Sequence, residues 1–342
     1  MAEAIDIREL NERIERQSAF VTNLMTGMDQ VIVGQKHLIE SLLIGLLSDG
    51  HILLEGVPGL AKTLAIKTLA SLIDSKYSRV QFTPDLLPAD IIGTMIYSQK
   101  DEQFIAKKGP IFANFVLADE INRAPAKVQS ALLEAMAERQ VSVGGKQYKL
   151  PQLFMVMATQ NPIEHEGTYN LPEAQLDRFL MYIKINQPEA ATERKILQLV
   201  RNEENDTQTT ADSVAQFKSK FGIIQAEDVF AARQEAYKIH CSDAVEEYLI
   251  QLIMATRHPE KYDESLKNTI AFGASPRATI ALDKCAKINA WLSGRDFVTP
   301  EDIHAVVYDV LRHRIILSFE AQAGGLTSDD IITRLLKIVP LP

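Results

Sequence analysis

Residues Leu53 to Ala65 read LLEGVPGLAKTLA: an apolar run, a glycine-bearing turn, then the start of a helical pattern. This is the layout of a phosphate-binding loop, whose usual form is glycine, four residues, then Gly-Lys followed by Ser or Thr. Gly56 opens the loop and Lys62-Thr63 close it, but Ala61 stands where glycine is usual. Such a loop works because successive backbone N–H groups converge at a helix N-terminus. The lysine adds charge near the terminal phosphates, and the hydroxyl ligates magnesium. If position 61 required positive φ, the alanine methyl would cost about 1–2 kcal/mol. At helical φ that cost vanishes and alanine favours the helix, so helical φ is the expectation for Ala61. Taken alone, the stretch also fits an ordinary strand–turn–helix.

Working outward, the first half of the chain alternates short apolar runs with helical patterns. His51–Glu55, Ile111–Ala118, Leu153–Thr159 and Met181–Ile185 read as strands, several of them continuously apolar, as strands buried on both faces are. Between them, Lys127–Glu138 places Val128, Ala131, Leu132, Ala135 and Met136 on one helical stripe. Strands alternating with helices imply an α/β layered domain with a parallel sheet. From Pro188-Glu189 onward the chain is mostly helical: Ala190–Asn202, Ala226–Lys238, Ala244–Arg257, Pro276–Ser293, Asp296–Leu317 and Ser328–Val339. Asn202–Asp212 is polar and reads as a loop within that second part.

Two further strand ends carry polar chemistry. Asp119-Glu120 follows the apolar run Phe115–Ala118. Beside a phosphate loop, Asp119 suits a magnesium site held through water and Glu120 suits polarisation of an attacking water. Acids that merely face solvent at a strand end are the plainer alternative. The stretch FMVMATQNP likewise ends in Thr159, Gln160 and Asn161. Asn161 could hold the attacking water, although Asn-Pro also makes an ordinary turn.

Composition sets limits. The 342 residues carry a formal net charge of −9, which argues against a surface devoted to nucleic acid. The N-terminal stretch MAEAIDIRELNERIERQ is acidic and amphipathic, unlike a signal peptide. No apolar run reaches the roughly 18 residues of a membrane span, so a cytoplasmic protein is expected. Cys241 and Cys285 are the only cysteines and have no metal or redox spacing; they are expected to be small buried residues in a reducing compartment. The seven histidines are scattered. Trp291 is expected in the helical core.

Assembled in order, the stretches VIVGQ, GVPGLAKT, QFTPDLLPADIIGT, KKGPIFANFVLADEINRAP, KVQSALLEAMAE, MATQNP, LPEAQLDRF and GASPRA resemble the MoxR family of AAA+ ATPases, over about Val31 to Val339. The resemblance implies an α/β P-loop NTPase core, a parallel sheet with helices on both faces, and a C-terminal all-helical lid. It divides the chain into an N-terminal helical segment (1–24), an ATPase core (25–187) and a lid (188–342). It implies ATP and Mg2+ as cofactors. By the same resemblance, Val33, Gly34 and Gln35 flank the adenine, and Gly56, Val57, Pro58, Gly59, Leu60, Ala61, Lys62, Thr63 and Leu64 form the nucleotide loop and its exit. Thr63 and Asp119 hold magnesium, Glu120 is the catalytic acid of the pair, Asn161 the first sensor, Arg178 an arginine finger reaching a neighbour's nucleotide, and Arg277 the second sensor. Arg123 has no assigned role.

The family's helix-two-insert group also implies that Gly93–Gly109 is an inserted hairpin. Arg139–Leu150 alternates apolar residues around Gly144-Gly145, a hairpin signal of its own. These two segments carry Lys100, Lys107, Lys108, Lys146 and Lys149, but also Asp101 and Glu102; solvated charge is favoured over a nucleic-acid grip. The implied function is a homo-hexameric ring that couples ATP hydrolysis to remodelling, maturation or metal-cofactor insertion, with a von Willebrand factor A domain protein as partner on a separate chain and no membrane insertion. Competing readings are a nucleic-acid motor like the MCM helicases, a magnesium-chelatase-type motor subunit, and a slow nucleotide-binding switch.

Overall fold

The computed structural model describes residues 20–342, apart from 30, 33, 57–61, 101, 163–166, 186, 188, 206–214, 216–217 and 220–222. After helix α1 (20–29), the chain forms α2 (Lys36–Leu47), β1 (Ile52–Glu55), α3 (Lys62–Leu72), β2 (Tyr77–Gln81) and α4 (Pro88–Ile92). The hairpin β3 (Gly93–Ser98) and β4 (Gln103–Lys108) precedes β5 (Phe115–Asp119) and α5 (Ala126–Glu138). A second hairpin, β6 (Gln140–Val143) and β7 (Lys146–Lys149), leads to β8 (Met155–Gln160), α6 (Glu173–Leu176) and β9 (Met181–Lys184).

The main sheet has five strands in the order β2-β5-β8-β1-β9, all parallel. Its three inner strands β5, β8 and β1 are apolar for most of their length because both faces are covered. Phe115, Leu117, Met155 and Met157 point into one core with α2 and α3, while Val116, Ala118, Val156 and Ala158 point into another with α5. This accounts for near-continuous apolar runs rather than alternation. The strand beginning expected at Ile111 starts only at Phe115, because Pro110–Phe112 is a 3-10 turn. Proline has no N–H to give a sheet ladder.

Both expected hairpins are present. β3 pairs with β4 from Gly93↔Lys108 to Ser98↔Gln103. β6 and β7 turn through Gly144 and Gly145, both at positive φ (58° and 76°), the backbone that a tight two-residue hairpin turn requires. Lys107, Lys146 and Lys149 are exposed, as are Lys100 and Glu102 near the first tip, while Asp101 lies outside the described residues. Lys108 is exposed too, with its ammonium 4.9 Å from the ring centre of Phe112 and 5.8 Å from that of Tyr148.

The rest of the described chain is mostly helical: α7 (Ala190–Asn205), α8 (Ala226–Ala236), α9 (Asp243–Arg257), α10 (Pro276–Leu292), α11 (Pro300–Leu311), α12 (Phe319–Ala323) and α13 (Ser328–Ile338). Two expectations are corrected here. α7 continues to Asn205, so the helix takes in the beginning of the Asn202–Asp212 stretch, and the remainder, 206–212, lies outside the described residues. Asp296–Leu317 is not one helix. Thr299, Pro300 and Asp302 start α11 with a reciprocal capping box, and the chain leaves it before a short strand β11 (Ile316–Leu317), antiparallel to β10 (Ile270–Phe272). Trp291 is buried and meets Phe20 edge-to-face. Cys285 is buried, with its thiol pushed up to about 12 by burial, but Cys241 is only half-buried. No described helix is long and apolar enough to cross a membrane.

Two buried histidines brace the sheet's entrance end. His51, just before β1, accepts from the Val156 N–H at Nδ1 (3.0 Å) and lies 3.3 Å from the Met136 carbonyl at Nε2. This pairing requires the neutral Nε2–H tautomer, and burial pushes its pKa down to about 3. His313 lies against the Phe179 carbonyl, and burial again holds its pKa well below the usual value. Both charge first in the unfolded chain, so their stabilisation is complete above about pH 6.5 and is lost as pH falls below it. Between pH 6.5 and 5 His51 is expected to cost about 2 kcal/mol of unfolding free energy, and His313 acts in the same direction. His37, 2.8 Å from Asp309 and raised by it, opposes them in part. Urea unfolding at pH 7.5 and pH 5 checks this: His51→Gln should flatten the pH dependence, and an unchanged profile in that variant contradicts the assignment.

Candidate functional site

The C-terminal ends of β1, β5 and β8 converge. Gly56 leaves β1 and donates its N–H to the Gln160 carbonyl of β8 (3.3 Å). Loop residues Val57, Pro58, Gly59, Leu60 and Ala61 lie outside the described residues, as does Val33, so the expectation of helical φ at Ala61 has no counterpart here. Lys62 opens α3, and its Nζ donates back to the Gly56 carbonyl at 2.6 Å, closing the loop on itself. Burial lowers the Lys62 pKa, and the attraction of Asp119 and Glu120 opposes this. The lysine is therefore within electrostatic reach of both acids. Thr63 follows on the first turn, and Leu64 packs partly against the core. Gly34 has φ +75°, and a Cβ there would lie 2.2 Å from the Thr192 methyl of α7. Only glycine therefore lets the segment before α2 pass so close to the helical part. Gln35 caps α2.

At the end of β5, Asp119 Oδ1 accepts the Thr159 hydroxyl (2.6 Å), and that hydroxyl in turn accepts the Glu120 N–H (2.9 Å). One hydroxyl thus ties the acidic pair to the neighbouring strand β8. Glu120 itself has φ +55°, a left-handed backbone that costs a non-glycine residue on the order of 1–2 kcal/mol. Strain of this kind persists only where surrounding bonds enforce it. The Glu120 carboxylate accepts from Gln81 Nε2 (2.7 Å) and Arg123 Nη1 (3.0 Å). Asp119 Oδ2 accepts from Arg79 Nη2 (2.6 Å) and Nε (3.1 Å). Asn161 directly follows β8 and is buried. Thr63 and Asp119 are oxygen donors, the set that suits a hard cation such as Mg2+. No cluster of His, Cys, Asp and Glu that could hold a metal by itself occurs among the described residues.

Arg178 and Arg277 are elsewhere. Both line a cavity of about 360 Å3 at the other end of the sheet, beside Gly50 and His51, which precede β1. Lys62 and the acidic pair lie at the far end of the strands, and a four-residue strand such as β1 spans roughly 13 Å. Arg178 Nη1 donates to the Leu133 carbonyl (2.8 Å). Arg277 lies 3.6 Å from Asp177. Asp177 also accepts from the Ser275 hydroxyl that caps α10 and from the buried Arg314 (Nε, 2.8 Å). Arg314 further donates to the Phe179 and Leu180 carbonyls. One carboxylate, adjacent to Arg178, therefore joins the sheet end to the start of α10.

Residues 51–181 match the family described as ATPase family associated with various cellular activities (AAA), and residues 264–335 match the AAA lid domain. The chain is 48% identical to Chaperone MoxR1 of Mycobacterium tuberculosis over 314 residues, covering 92% of this chain and 80% of that protein. It is 32% identical to Protein MoxR of Methylorubrum extorquens, covering 98% and 96% of the two chains. The crystal structure of a chain assigned as an ATPase from Cytophaga hutchinsonii superposes with a TM-score of 0.88 at 45% identity, over 99% of this chain and all (100%) of that one. With its five-stranded parallel sheet and helical C-terminal part, this chain belongs to the MoxR family of AAA+ ATPases.

Proposed function

We propose that this chain is a Mg2+-dependent ATPase working as a homo-hexameric ring that remodels partner proteins. The observation that supports this most is the separation of the two half-sites. Lys62, Asp119 and Glu120 stand at one end of the sheet and Arg178 with Arg277 at the other, so a complete set needs a second copy. In this reading 25–187 is the catalytic core and 188–342 the lid, and most of the N-terminal segment 1–24 lies outside the described residues. Gly34, Gln35 and the loop from Gly56 to Leu64 hold the nucleotide, and Lys62 leaves the Gly56 carbonyl to meet its terminal phosphates. Thr63 and Asp119 hold Mg2+, which when bound supplies positive charge against the phosphate oxygens. Glu120, freed from Gln81 and Arg123, accepts a proton from the attacking water that Asn161 helps to hold. Arg178 and Arg277 of the next subunit meet charge that develops on the transferring phosphoryl group.

The client work is protein remodelling, maturation or metal-cofactor insertion, in the cytoplasm, with a von Willebrand factor A domain protein as the partner. Support for a chaperone role comes from the relative named Chaperone MoxR1. Specific ATPase rate measured against protein concentration tests assembly: it should rise steeply and then plateau as rings form. A rate per chain that is independent of dilution down to nanomolar protein contradicts a site completed between subunits. Salt-sensitive stimulation by DNA in the same assay would instead favour a nucleic-acid motor.

A further inference from the structure

Arg79 has no role in the chemistry described so far, yet it is bound to the carboxylate assigned to the metal. It sits on the edge strand β2, opposite Leu117 in register, and reaches forward to Asp119. Two of its nitrogens contact Asp119 Oδ2, at 2.6 and 3.1 Å, and Nη2 also donates to Gln81 Oε1 at 3.1 Å. The other Asp119 oxygen is engaged by the Thr159 hydroxyl. Half of the Arg79 side chain is exposed (51%) against 16% for Asp119, so the guanidinium can swing into water while the carboxylate stays. The strand does not need the pair for its position: β2 is fully paired with β5 from Tyr77↔Phe115 to Gln81↔Asp119, and Val80 is in the core.

A guanidinium and a divalent cation compete for the same oxygen, because like charges a few ångströms apart repel even near solvent. We propose that Arg79 is a latch on the metal-binding carboxylate, so that Mg2+ is taken up only as Arg79 lets go of Asp119. Arg79 thereby sets the Mg2+ level at which the nucleotide site closes. It is a positioning residue that acts through Asp119, and the inference rests on the reading of Asp119 as a metal-site residue.

The experiment titrates Mg2+ into the full chain with a fluorescent N-methylanthraniloyl ATP, followed by fluorescence rather than turnover. Arg79→Met, which keeps the apolar stem, should reach half-maximal Mg2+-dependent binding at about three- to tenfold less Mg2+. Arg79→Lys should stay within about twofold of the unsubstituted chain, since an ammonium preserves the competing charge. Affinity in EDTA should be the same in all three. An unchanged or higher Mg2+ requirement in Arg79→Met overturns the latch, and so does weaker binding in EDTA, which would make Arg79 a phosphate ligand. If the unsubstituted chain binds nucleotide but with no Mg2+ dependence, the assignment of Asp119 falls, and the latch with it. If it binds no nucleotide at all, the ATPase reading itself fails.

Discussion

Glu120→Gln should bind ATP as tightly as the unsubstituted chain and hydrolyse it about a hundredfold to ten-thousandfold more slowly. The amide has the shape of the carboxylate but cannot take a proton from water at neutral pH. Its oxygen can still accept from Gln81 and Arg123, the two donors on Glu120 Oε2, so the left-handed turn at residue 120 keeps its supports. The Glu120–Arg123 pair is partly exposed (22% and 42%), and such pairs contribute about 0–1 kcal/mol. Melting temperature should therefore hardly move. A fluorescent-nucleotide titration and a single-turnover assay on one preparation separate binding from chemistry. Turnover within twofold of the unsubstituted chain would remove Glu120 from the mechanism.

Arg178→Ala should lower turnover by about a thousandfold while leaving nucleotide binding by its own loop intact. The magnitude reflects the loss of a guanidinium aimed at charge present only in the transition state. The decisive measurement mixes the two inactive variants. An Arg178→Ala chain keeps Lys62, Asp119 and Glu120, and a Glu120→Gln chain keeps Arg178. Mixed rings therefore contain some sites with both halves intact, and activity should reappear on mixing. A mixture no more active than the sum of its parts would place each complete site within one chain. Among the described residues Arg178 donates one hydrogen bond, to the Leu133 carbonyl, so its removal is not expected to unfold the core.

Much of this was legible in residues alone. Leu53–Leu64 has the local order of an apolar strand, a glycine turn and a helix start, and local order is what period and turn chemistry report. β1, β8 and β9 fall within a residue or two of the apolar runs, as does α5 for its stripe, because their side chains are buried. β2 carries no such pattern. YSRVQ has a single buried residue, Val80, and an edge strand lacks the two covered faces that make a run apolar. The same is true of Arg79 and Gln81, whose spacing of two residues put them on one face but gave no sign of which acid each would meet. Thr299-Pro300-Glu301-Asp302 carries a cap, a first-turn proline and two acids, the local signal of a helix start, whereas Asp296–Leu317 as a whole carries a helical pattern that runs across it.

By itself the sequence determined the family and the chemistry at hand: a lysine and threonine after a loop, two acids and an amide at strand ends, and two arginines further on. These are properties of side chains and of near neighbours, which a chain carries wherever it folds. Only the tertiary structure decided which of them meet. It put the Thr159 hydroxyl between Asp119 and Glu120, 40 and 39 residues away. It joined Asp177 to Arg314 across 137 positions, and it sent Arg178 and Arg277 to the end of the sheet away from Lys62. The reason is topological. In a parallel sheet every strand enters at one end and leaves at the other, so residues before a strand and residues after it are held apart by its length.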